Sequence, residues 1–173
     1  MFHRLAEILG RHAATVFKTM SGLEPDRLEI IEAEENEGPR YPLGVKVDFH
    51  SLKDRPEELA GFFVCAFKTS EAAKEIASVI AGKLGLSGAL AKSERGVDDI
   101  LGEFLNIVIG LTCSDWADHG LITEFEPPQP LINCQFDSFP PLAKAYHLTM
   151  SSLGHPDVSI FLVFFNGNLS EGQ

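Results

Sequence analysis

Asp98-Asp-Ile-Leu-Gly-Glu-Phe-Leu-Asn-Ile-Val-Ile-Gly-Leu-Thr112 reads as a helix. At about 100° per residue, Ile100, Leu101, Phe104, Leu105, Ile107, Val108 and Leu111 gather on one broad side, which is expected to be core. The opposite side carries Asp99, Glu103, Asn106 and Gly110, with Gly102 beside them. A solvated helix face is ordinarily built from good helix formers such as Lys, Glu, Gln and Ala. This one offers a single Glu, a single Asn and two glycines. Each Gly is about 1 kcal/mol worse than Ala in a helix interior. Close approach of another surface is the candidate for what offsets that penalty.

Outward from this stretch, the helix is expected to begin near Arg95 and to reach Trp116 or Asp118, with Gly120 ending it. Asp98 and Asp99 are placed in its first turn, where negative charge suits the dipole. Upstream, residues 2–21 form an amphipathic helix stopped by Gly22. A short strand follows at Leu28–Ile31, then an acidic loop from Glu32 to Arg40. Val45, Val47 and Phe49 alternate with polar residues and pair with a return strand, Gly61–Phe67, across a charged loop, 51–59. Thr69 or Ser70 caps a helix running to about Ala81. Residues 82–91 lack periodicity. Downstream, Leu121–Glu126 and Leu131–Phe136 are strand candidates on either side of Pro127-Pro128-Gln129-Pro130, which belongs in a loop or at a sheet edge. After a turn at Pro140-Pro141, residues 143–150 and 158–165 read as a final hairpin, and 166–173 as a frayed tail. The order of elements predicts an α+β fold, an antiparallel sheet with helices packed on one face, in a single domain spanning residues 1–173.

The chain has 173 residues, is 45% apolar and 23% charged, and carries a net charge of −11. That charge argues against nucleic acid, whose phosphates need a basic patch, and against an anionic membrane surface. No apolar run has the length of a membrane span, and the opening Met-Phe-His-Arg-Leu lacks the long apolar segment of a signal peptide. Cys65, Cys113 and Cys134 are odd in number, far apart and set in apolar surroundings, which predicts free thiols in a reducing, cytoplasmic compartment. The six histidines are scattered without ligand spacing, so no metal site is expected.

Asp99, Glu103 and Asn106, at spacings of four and three and followed by Pro128, resemble the motif of the CheC/CheX/FliY family of bacterial chemotaxis phosphatases. Pro128 stands one residue nearer than the family spacing and Pro130 one further. The order of elements around the motif is similar to the family's over most of the chain. CheC-like members carry the motif on two pseudo-equivalent helices. Here the first helix has Glu7 but Gly10 where the Asn would stand, which implies one site and a closer match to CheX.

The resemblance implies a two-component signalling role, dephosphorylating a CheY-like response regulator. Glu103 would form a salt bridge to the regulator's active-site lysine, and Asn106 would orient a water for in-line attack on its aspartyl phosphate. No cofactor of the protein's own is implied, since Mg²⁺ resides on the partner regulator. A homodimer formed through the sheet edges is implied as well. The residue types suit the task. Phosphoryl transfer asks mainly for positioning and charge stabilisation, and an amide can both donate to and accept from a water without being a base. Gly102 and Gly110 would admit the partner's loops, and Asp99 would contact its rim or act as a cap. The alternative is a non-catalytic module on the same fold that docks a response regulator or flagellar-switch component. The acidic loop and the proline offset favour that alternative.

Overall fold

A computed structural model describes residues 1–33, 40–52, 59–135 and 144–166. The expected acidic loop, the loop before Leu59, the Pro140-Pro141 turn and the C-terminal tail lie wholly or mostly outside the described residues.

Helix α1, Phe2–Ser21, buries Leu5, Ile8, Leu9, Val16 and Phe17 and stops where Gly22 turns left-handed at φ 75°, a conformation that suits a residue without Cβ. β1 (Arg27–Ala33), β2 (Arg40–Ser51) and β3 (Leu59–Phe67) follow. In α2 (Ser70–Leu84), the Thr69 side chain accepts from the Ala72 backbone N–H, as its N-cap position predicts. A 3₁₀ turn, Leu90–Lys92, interrupts the stretch expected to be featureless. α3 runs from Glu94 to Asp118, and β4 (Thr123–Phe125), β5 (Gln129–Gln135), β6 (Lys144–Ser151) and β7 (Val158–Asn166) complete the chain.

Among the described residues the strands form one antiparallel seven-stranded sheet in the order β1-β6-β7-β3-β2-β4, with β5 also on β2. Both expected hairpins are present, β2 with β3 and β6 with β7. The fold is the α+β arrangement expected. Two strands share the outer side of β2. β4 pairs with its end, Phe49 facing Phe125, and β5 with its beginning, Val45 facing Pro130. Pro127 and Pro128 fall in the break between them. Proline has no N–H to give a ladder and belongs at such an edge.

The core lies between the helices and one face of the sheet. Trp116, fully buried near the end of α3, stacks on Phe63 at 5.5 Å and meets Phe49 and Phe164 at 5.6 Å each. Its indole N–H donates to the Leu5 carbonyl of α1 over 3.1 Å. Phe17 meets Phe104 edge-on at 6.2 Å. Gly61 admits this packing, because a Cβ there would come within 2.4 Å of the Phe49 ring and 2.1 Å of the Val163 carbonyl. Cys65 is buried, and desolvation pushes its thiol up to about 12. Cys113 is half-buried, its thiol also raised by burial, with the Thr123 hydroxyl beside it pulling the other way. Both are free and neither is primed as a nucleophile. Among the described residues no helix is long and apolar enough to cross a membrane.

Two expectations about α3 are corrected. Ile107 and Leu111 are not core; they are 38% and 43% exposed. Asp98 and Asp99 are not in the first turn, because the helix starts earlier, with the Ser93 hydroxyl accepting from the Gly96 N–H at 3.0 Å. The dipole's benefit falls off within one turn, so Glu94 is the acid that receives it.

Candidate functional site

The back of α3 is fixed by its core residues, its start by the Ser93 cap and its end by Trp116. Its front is left to face an open groove. The groove has a volume of about 550 Å³ and is lined by Glu94, Arg95, Asp98, Asp99, Gly102, Glu103 and Asn106 from α3, Pro128 and Pro130 from the strand edge, and Val45 from β2. Every residue of the sequence motif, with both prolines, therefore meets at one concavity.

Glu103 is exposed and Asn106 half-buried, one helical turn apart on the same side. Among the described residues neither side chain has a hydrogen-bond or ion-pair partner. Partial burial narrows the rotamers open to Asn106 while leaving its amide unsatisfied. Gly102 is buried, and a Cβ there would rest 3.4 Å from Cβ of Pro128. The close approach at Gly102 is made by this chain's own proline, and of the two prolines it is Pro128 that touches the motif helix. Gly110 differs, since a Cβ there would meet nothing within 4 Å among the described residues.

Four carboxylates and one guanidinium line the groove. Burial raises the Asp98 carboxyl above the usual range, and the negative charges of Asp99 and Glu94 raise it further. Such a site favours a cationic group at its mouth. Among the described residues no cluster of His, Cys, Asp and Glu could hold a metal. An unpaired carboxylate can grip an ammonium. An unpaired amide beside it can hold a water through one donor and one acceptor. Among the described residues no Ser, Thr, Cys or Lys lines the groove.

Sequence reasoning did not single out Arg95 or Val45 for the site. Arg95 was findable, because it stands seven residues before Gly102, two turns back on the same side. Val45 was not, since its place beside α3 depends on strand pairing.

No family model matches the chain, and no curated protein matches it in sequence. Solved structures do match. A chemotaxis protein from Desulfovibrio vulgaris Hildenborough superposes with a TM-score of 0.72 at 14% identity, covering 94% of this chain and 97% of that one. CheX from Vibrio vulnificus gives 0.70 at 18% identity, covering 94% and 99%. The CheX of a CheX–CheY–BeF3–Mg²⁺ complex from Borrelia burgdorferi gives 0.69 at 15%, covering 92% and 96%. The chain thus has the fold of the CheC-like chemotaxis proteins. Within that class, structures of CheX and of CheC-like proteins alike are matched over nearly their full length.

Proposed function

We propose that this protein is a CheX-like phosphatase that hydrolyses the aspartyl phosphate of a CheY-like response regulator. The observation that carries the reading is the pair Glu103 and Asn106. Both are accessible and, among the described residues, unpartnered, and they sit together in a groove on a fold shared with a CheX caught with CheY.

Glu103 is placed to take up a lysine ammonium of the regulator, since its carboxylate is exposed in an acid-lined groove. That grip fixes the partner's register. Asn106, a turn further on, enters the regulator's pocket and holds a water in line with the phosphorus. The water oxygen bonds to phosphorus as the bond from phosphorus to the aspartyl oxygen breaks. The products are inorganic phosphate and a free carboxylate. The regulator's own Mg²⁺ neutralises charge on the phosphoryl oxygens. The contribution of this chain is position, which for a water otherwise free in solution is a large entropic gain. A general base is not required, because a loose transition state needs little proton removal before attack.

The test is phosphate loss from a phosphorylated CheY-type receiver domain, followed with and without the protein. Acceleration by the wild type, with loss in both Glu103→Ala and Asn106→Ala, is expected. Binding without any acceleration would make the protein a docking module instead.

A further inference from the structure

Past Asn106 the exposed side of α3 changes character. From Phe104 to Ser114 eleven consecutive residues carry no charge, in a chain whose other surfaces are rich in acids. Within this span Ile107 and Leu111 stand 38% and 43% exposed, with exposed Gly110 between them. The sheet edge adds a third apolar group. Phe125, 41% exposed, pairs with Phe49 and so shares its helix-facing side. It falls between two anchor points, Thr123 beside Cys113 and Pro128 on Gly102. This edge runs alongside α3 between Cys113 and Gly102. Phe125 is therefore level with the middle of the helix, near the height of Gly110.

The described residues give no reason for Gly110. Among the described residues nothing stands within 4 Å of where its Cβ would be, it is not at a helix end, and Ala would make a better helix. Gly102 has Pro128 to account for it; Gly110 has only open space. A partner that must come close to the helix backbone is the remaining physical reason.

That partner is the one that reaches the dyad. Ile107 follows Glu103, and Gly110 follows Asn106, by four residues, along the same rows of the helix. One turn is about 5.4 Å, whereas a specific protein interface takes in about 20–30 residues a side. A folded domain seated on Glu103 and Asn106 covers the next turn as well. We infer that the ridge of Ile107, Gly110 and Leu111, with Phe125 on the other flank of the helix, docks an uncharged apolar rim of the receiver domain next to its phosphorylation pocket. This rests on the phosphatase reading. It divides the work: the acidic end selects a cation, the amide holds the water, and the apolar ridge supplies affinity by burying apolar surface.

The experiment titrates the full chain with CheY-type receiver domains of the source organism, loaded with Mg²⁺ and beryllofluoride, and also follows hydrolysis of the phosphorylated forms. The double variant Ile107→Ser, Leu111→Ser is expected to bind about tenfold more weakly or worse. Its KM should rise while its maximal rate falls by less than about threefold. Gly110→Ala should melt a few degrees higher than wild type, since open space admits the methyl and the helix gains, and yet bind the receiver more weakly. A merely structural glycine would not separate the two readouts. Ridge variants that bind within twofold of wild type overturn the inference. So does a change in the protein's own association state, which would make the ridge a contact with a second copy. If the ridge variants lose binding but Asn106→Ala hydrolyses normally, docking stands and the phosphatase mechanism falls. If no receiver binds the wild type, both fall.

Discussion

Helices α1 and α3 carry nearly the same six-residue pattern and make opposite use of it. Leu5-Ala6-Glu7-Ile8-Leu9-Gly10 matches Leu101-Gly102-Glu103-Phe104-Leu105-Asn106. In both, the residues flanking the Glu are buried as core. The fronts diverge. Glu7 is tied to Arg4 at 3.0 Å and to His3 at 3.7 Å, and its hydrogen bond from Arg4 holds its carboxyl below the usual range. Among the described residues Glu103 has no such partner. At Gly10 the space for an amide is taken, because a Cβ would lie 3.0 Å from the Ile30 methyl, 3.2 Å from Leu28 and 3.3 Å from Leu148. Asn106 looks instead onto the groove beside the break between β4 and β5. Motif spacing puts two side chains on one face of a helix. What covers that face decides whether they become a site.

The comparison can be broken most forcefully by loosening what holds α3 flat against the sheet. Trp116→Ala removes a fully buried ring from an aromatic cluster and a hydrogen bond to α1, and is expected to cost about 3–5 kcal/mol in denaturant titration. Retained stability would mean that α3 is fixed elsewhere. The converse attempt is to give α1 an amide. Gly10→Asn forces a side chain into a filled space and is expected to lose about 1–3 kcal/mol without raising hydrolysis. A gain in activity would show that cover is not what silences α1. Ser93→Ala deletes the cap of α3, at about 1 kcal/mol by the same titration.

Asp98→Asn is the smallest change and the one with a pH signature. The folded protein holds this carboxyl above its ordinary range, so its charged form disfavours the fold. The variant should be slightly more stable than wild type at neutral pH. The gain should fade as pH falls through the raised Asp98 value towards the ordinary Asp range, where wild type protonates and loses the same repulsion. Partial exposure and salt keep the effect small. Melting curves of both proteins across pH read it directly, and a variant less stable at neutral pH contradicts it.

Much of this was legible in the residues. Helical periodicity placed α1, α2 and α3, alternation placed the hairpins, and the spacing of Asp99, Glu103 and Asn106 marked one side of α3, though not that this side lines a groove. Strand order was not legible, because β1 pairs with β6 and β7 with β3 through contacts distant in sequence. The groove needed that order too, since Val45 and Pro130 enter it as paired strand residues. Exposure along α3 was misread for a related reason. A helical wheel assumes uniform cover, yet Ile100 is 5% exposed while Leu111, within about 20° of it around the helix axis, is 43% exposed. The neighbouring elements cover the first half of that flank and leave the second bare.

The central claim is that Asn106 acts on a water and not on the grip. It is tested most directly by giving Asn106→Ala two partners: a receiver domain loaded with beryllofluoride and Mg²⁺, and the same domain phosphorylated. The account predicts binding within about threefold of wild type, together with a loss of at least about a hundredfold in the rate at which phosphate leaves the phosphorylated form. Hydrolysis as fast as the wild type's, or a rate lost only in proportion to binding, would contradict it.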